Sequence, residues 1–242
     1  MLGLPRTTQP AGRPLMDLNR VRRSLPVLPR TTPPGLPTFR GLFHVWAFAL
    51  AVPAGVVIGM MAGGGKARVA AAIFGGTVAT MFGLSALYHR FAWSPAAKRL
   101  LRKLDHLGIF GLIAGSYTAI GLIVLGGTGR IVVLSIVWAG VAVAVITKFV
   151  WPDAPKWLSA VTAIALGWVG ITIFPQILQH AGAVPTALIL AAGALYTIGA
   201  VVYARRRPDP APAFFGYHEL FHALVVAAVG LQYSAVGSLV LR

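Results

Sequence analysis

The chain has 242 residues, of which 57% are hydrophobic and 11% are charged, and its formal net charge is +16. Soluble domains carry roughly 25% charged residues, so a soluble fold of this composition is excluded. The absence of cysteine excludes disulfide bonds and thiolate metal ligands.

The chain begins with a basic, proline-rich segment. Residues 1–38 contain eight prolines and six arginines without an apolar run between them. Such a composition cannot bury enough apolar surface to fold, so it predicts a disordered tail. No apolar stretch of about 7–15 residues follows the first charges, so we do not expect a secretory signal peptide. We therefore divide the chain into a tail, 1–38, and a membrane domain, 39–242.

Seven apolar segments follow the tail, and glycine- or proline-rich links separate them. Each is close to the ~20 residues that cross the hydrocarbon core of a bilayer. Backbone groups in lipid must be satisfied within the segment, so all seven are predicted to be helices of an all-α membrane protein. The segments are 42–62, 69–89, 105–125, 131–150, 157–174, 184–203 and 217–240.

The basic residues alternate between the two sides of such a bundle. Seventeen lie in the tail and in the links on its side, and four lie on the other side. The positive-inside rule then places the N-terminus in the cytoplasm and the C-terminus outside. Because these charges lie between apolar segments, topology and anionic lipid explain them, and we do not expect a nucleic-acid partner.

A short amphipathic segment precedes the third apolar segment. Ser94 and Pro95 are typical of the first turn of a helix. Basic residues follow on one face and leucines on another, over residues 98–104. This pattern predicts a helix that lies at the inner membrane interface and leads directly into the third segment at Asp105.

Ionisable residues in the membrane domain concentrate at the predicted cytoplasmic ends of the helices. Such groups are costly in a membrane and usually serve function, so we interpret them as one polar cluster. The cluster comprises His44, His89, Asp105, His106, His218, Glu219 and His222.

The spacing within this cluster predicts a metal site. His218 and His222 are four residues apart, so their imidazoles share one helix face, as do Ser85 and His89. Two imidazoles from one helix and one from another leave an open position, as in catalytic zinc sites. Asp105 would orient a histidine or hold the water. Three histidines suit zinc best, although other divalent metals compete.

Residues 218–222 also read H-E-x-x-H, the pattern of zinc metalloproteases. In such an enzyme Glu219 would be the general base. No second protease motif accompanies it, so an intramembrane metalloprotease is a rival interpretation that rests on this pattern alone.

Three segments together resemble the hemolysin III family of the progestin and adipoQ receptor superfamily. They are Ser85–His89, Leu104–Thr118 and His218–His222, and the opening Arg40–His44 is similar to bacterial members. The resemblance covers roughly residues 39–240. It implies a seven-helix fold with the N-terminus inside, zinc held by His89, His218 and His222, and an aspartate, here Asp105, that contacts the zinc-bound water.

Three functions follow from the site and the resemblance. The first is a zinc-dependent hydrolase of a lipid amide or ester in the cell membrane, with Asp105 as the base or water-holder and Ser85 as a hydrogen-bonding group. Its lipid substrate would enter between helices. The second is the pore-forming cytolysin that the family name implies. The third is a membrane-homeostasis sensor in which zinc clamps the second and seventh helices.

Overall fold

The computed structural model describes residues 37–242, in which seven long helices carry almost all of the secondary structure. In these residues there is no β-strand, only an isolated bridge between Ala211 and Phe215. All seven helices are long and apolar enough to cross a membrane, which confirms the all-α multi-pass prediction. They are α1 (Leu42–Met61), α2 (Gly65–Arg90), α3 (Pro95–Val124), α4 (Gly127–Val150), α5 (Lys156–Ala181), α6 (Ala183–Arg205) and α7 (Tyr217–Val240).

The predicted amphipathic segment is the first part of α3. The Ser94 hydroxyl accepts a hydrogen bond from the Ala97 amide at 3.3 Å, and Pro95 occupies the first turn. At 30 residues, α3 is about 45 Å long, whereas a hydrocarbon core is about 30 Å thick. Helix α3 is therefore long enough for its basic first turns to lie outside the apolar layer, and their position at the inner interface stays a prediction.

Helix α5 is interrupted in the middle. Its α-helical parts, Lys156–Gly167 and Phe174–Ala181, flank a 3₁₀ turn over Val169–Ile173. The Tyr117 hydroxyl of α3 donates to the Gly167 carbonyl and accepts from the Gly170 amide, both at 2.7 Å. The interruption leaves helical backbone groups without their usual partners, and one tyrosine satisfies two of them.

Small residues bring the first three helices together. A Cβ added to Gly75 of α2 would lie 3.0 Å from the Gly55 Cα of α1, and one added to Gly115 of α3 would overlap the Thr77 side chain of α2. Backbones this close are typical of packing between membrane helices. This packing holds α1 and α3 on either side of α2.

The predicted tail, 1–38, lies almost entirely outside the described residues. The boundary at residue 38 and the cytoplasmic N-terminus both stay predictions.

Candidate metal centre

Four helices bring their polar ends to one end of the bundle. His89 lies in the last turn of α2, Asp105 early in α3, and His44 at the start of α1. His218 and His222 lie in the first turns of α7. Residues separated by up to 178 positions in the sequence thus line one cavity. The structure brings together every site residue that the sequence predicts, including Ser85, which is buried one turn before His89.

Three imidazoles converge at the centre of this cluster. One ring nitrogen each from His89, His218 and His222 lies within 4.8 Å of the other two, and the Nε2 atoms of His89 and His218 are 3.3 Å apart. A tetrahedral ion about 2.0–2.1 Å from each nitrogen would separate them by about 3.3 Å. The three histidines are only 2–8% exposed. This triad could therefore hold a metal ion.

Asp105 lies beside the triad. Its Oδ2 atom is 3.6 Å from the His89 Nε2, and its side chain is 13% exposed. At this distance the carboxylate does not hydrogen-bond to His89 directly. It is near enough to contact a small molecule, such as a water, that lies between the three histidines. Asp105 and Ser85 line the same cavity as the three histidines. Their chemical roles stay predictions.

His44 packs against the triad without belonging to it. Its ring stacks on that of His222 with a centroid distance of 3.9 Å and an interplanar angle of 5°. It is 3% exposed, and neither ring nitrogen has a hydrogen-bond partner among residues 37–242. The sequence analysis places His44 in the polar cluster but not among the ligands. In the structure its ring lies parallel to the His222 ring and covers one face of it.

His106 is directed to a local partner. Its Nδ1 lies 2.8 Å from the Arg102 carbonyl, one turn earlier in α3. It lines the cavity but is not one of the three converging imidazoles.

The glutamate of the H-E-x-x-H pattern is occupied by structural contacts. Glu219 is 1% exposed, and its Oε2 accepts a hydrogen bond at 2.9 Å from the Gly216 amide, which caps α7. Its Oε1 is 2.5 Å from the Arg40 Nε. Because both oxygens are engaged, Glu219 is not free to act as a general base, and the metalloprotease interpretation loses its central residue.

The ion pair between Arg40 and Glu219 is not predicted from the sequence. The Arg40 segment runs beside the link before α7, where the Thr38 amide donates to the Ala213 carbonyl at 3.3 Å and the Phe39 amide to the Phe214 carbonyl at 3.2 Å. In the sequence Arg40 begins the segment that is similar to bacterial family members, but nothing there pairs it with Glu219. The available signal is Glu219 itself, because a buried carboxylate requires a cation.

A cavity of about 770 Å³ opens at the triad and continues through the bundle. It follows α3 from Asp105 to Leu125, and α5 and α6 form much of the opposite wall. Near the triad its lining is polar, and farther along it is mostly aliphatic, with Ile113, Ile120, Ile164 and Leu190. Volumes of about 300–1,000 Å³ are typical of small-molecule sites.

Fold and site together define a class, the seven-helix membrane proteins with a histidine-lined cavity at one end. Residues 36–233 match the family described as Haemolysin-III related. The chain belongs to this family, as its resemblance indicates.

Two curated relatives come from bacilli. Hemolysin-3 of Bacillus cereus is 29% identical over 190 residues, which cover 77% of this chain and 84% of the relative. Hemolysin-3 homolog of Bacillus subtilis (strain 168) is 26% identical over 164 residues, which cover 68% and 74%. No solved structure matches the chain significantly. Helices and family together make this a multi-pass membrane protein, consistent with the cell membrane.

Proposed function

We propose that this protein is a zinc-dependent hydrolase of a lipid amide or ester. One observation carries the proposal: three buried imidazoles from α2 and α7 converge where an apolar cavity of about 770 Å³ begins. A structural site needs no such cavity, whereas an enzyme that acts on a lipid needs room for an acyl chain next to its reactive centre.

The donor set fits zinc. Three neutral imidazoles from His89, His218 and His222 match the ligand set of known catalytic zinc sites and leave a fourth position open. Zinc in such a site supplies Lewis acidity, which polarises a carbonyl and makes water nucleophilic near neutral pH.

The chain's own side chains would supply proton transfer and orientation. Asp105, 3.6 Å from His89, would orient the attacking water and accept its proton. Ser85, buried one turn before His89, would donate a hydrogen bond to the substrate carbonyl. His44, stacked on His222, would fix that ring and exclude bulk water from one side.

The test uses purified, zinc-loaded protein with fluorescent acyl amides and acyl esters. We expect wild type to release fatty acid and His218→Ala to lose at least about a hundredfold in rate, because removing a ligand costs more than the roughly 10–100-fold lost when a ligand's hydrogen-bond partner is removed. His180→Ala is the matched control, because His180 is exposed and bonds only the Gln176 carbonyl among the described residues. Equal rates for wild type and His218→Ala would contradict the proposal.

A membrane-lytic activity is the alternative that the names of the two relatives favour. The aliphatic lining of the cavity beyond the triad disfavours a water-filled pore, which needs polar or charged walls. Release of trapped dye from liposomes, undiminished in His218→Ala, would favour this alternative.

A structural clamp is the third candidate. The triad joins α2 to α7, and His44 of α1 stacks on it, so an ion there would tie the two ends of the domain together. Such a clamp would support a membrane-homeostasis sensor without catalysis.

A further inference from the structure

A buried lysine lines the cavity without an anionic partner. Lys148, near the end of α4, is 7% exposed, and its Nζ is hydrogen-bonded to the neutral hydroxyl of Ser159. The ion pairs in residues 37–242 involve other cations. A buried charge without a counter-charge is costly, and proteins retain one where a ligand or partner compensates it.

A second lysine, Lys156, lines the same cavity near the triad. The Lys156 Nζ lies 3.2 Å from the Tyr217 hydroxyl and 4.8 Å from the centre of the Tyr203 ring. The Tyr203 ring is in turn 5.8 Å from that of His218. These contacts hold a cation at the cavity wall, one aromatic ring away from a proposed metal ligand.

The positive-inside rule accounts for the exposed cations at this end, including Lys98 and Arg206, which also line the cavity, but not for the buried Lys148. Arg99, Arg205 and Arg207 are exposed and do not line the cavity, as expected of charges that set topology. Arg102 does line it, but its charge is balanced by Asp153 at 3.1 Å. Topology requires a charge on one side of the membrane and does not require that charge to be buried inside the bundle.

We infer that the cavity binds a lipid with an anionic head group. Its phosphate or carboxylate would lie between Lys148 and Lys156, and its acyl chain would follow the aliphatic lining along α3. The inference rests on the proposed function in one respect, since it names the substrate class that the hydrolase would accept. Charge-assisted hydrogen bonds from two lysines would select this head group over a zwitterionic one.

Binding is measured on the full-length wild-type protein in neutral detergent. Phosphatidylglycerol and phosphatidylcholine with identical acyl chains are titrated, and bound lipid is counted by native mass spectrometry. We expect phosphatidylglycerol to bind about tenfold more tightly, the range of one or two hydrogen bonds to a charged group. Lys148→Met should abolish the preference, and Lys148→Arg should keep most of it.

Arg205→Gln is the matched control, because it removes an exposed cation from the same end without changing the cavity. Equal affinities for the two lipids, or equal effects of Lys148→Met and Arg205→Gln, would overturn the inference. Glycerol phosphate at the same concentration should not displace the lipid, and full displacement would overturn the assignment to a lipid. A preference for phosphatidylglycerol in a protein that hydrolyses nothing would refute the proposed hydrolase alone.

Discussion

Two charged side chains far apart in the sequence connect the start of α1 with the start of α7. Arg40 is 15% exposed and Glu219 1% exposed, so most of this pair lies out of water. A buried pair adds little stability relative to apolar residues, but removing one member leaves the other charged and unpaired. Glu219 follows His218 directly, so the position of this pair affects a proposed ligand.

Arg40→Ala should therefore destabilise the protein by about 3–5 kcal/mol, because the Glu219 carboxylate would remain buried without a cation. The measurement is unfolding in detergent, followed by helical circular dichroism. The matched control is Arg99→Ala, which removes an exposed arginine from α3 and should change stability by less than about 0.5 kcal/mol. Equal stabilities of the two variants would show that the pair carries no such energy.

At this scale, helical spacing predicts part of the site and misses the rest. Ser85 with His89, and His218 with His222, follow from spacing of four residues within one helix. The contact between Arg40 and Glu219 and the burial of Lys148 depend on how different helices pack. Spacing along one helix contains no information about contacts between helices. From the sequence alone, Lys148 and Lys156 are therefore interpreted only as charges that set the topology.

At the scale of the helix, hydropathy locates all seven spans but not their details. The predicted segments agree with the helices to within a few residues at most ends. The interruption of α5 is not predicted, because Gly167 and Gly170 lie in an ordinary apolar run and the stabilising hydroxyl comes from Tyr117 of another helix. A partner 50 residues away cannot be recognised from local composition.

The crossing of α1 and α2 gives a test with neighbouring glycines. Gly75→Ala should destabilise the protein by roughly 1–3 kcal/mol, because the added Cβ would lie 3.0 Å from the Gly55 Cα and the helices would have to separate. Gly76→Ala meets nothing within 4 Å and should leave stability unchanged or slightly raised. Thermal unfolding of both in the same detergent makes the comparison. If Gly76→Ala were the more damaging change, α1 and α2 would not approach each other at Gly75.

At the scale of the whole molecule, the site depends on the closure of the bundle. His89 comes from the second helix and His218 from the seventh, yet their Nε2 atoms are 3.3 Å apart. An ion held by both would favour the closed arrangement over any state in which the helices separate. Binding of an ion there would therefore be linked to stability, whether the ion acted in catalysis or as a clamp.

Zinc should stabilise the protein, and above the dissociation constant the gain should rise with the logarithm of the zinc concentration. At a hundred times the dissociation constant the expected gain is about 2.7 kcal/mol, which for a chain of this length raises the melting temperature by roughly 5–10 °C. The measurement compares chelator-treated and zinc-loaded protein. His89→Ala should abolish the shift and His180→Ala should retain it, because only the first belongs to the triad. A shift that survives in His89→Ala would place the ion elsewhere, and a shift without lipid hydrolysis would favour the clamp over the hydrolase.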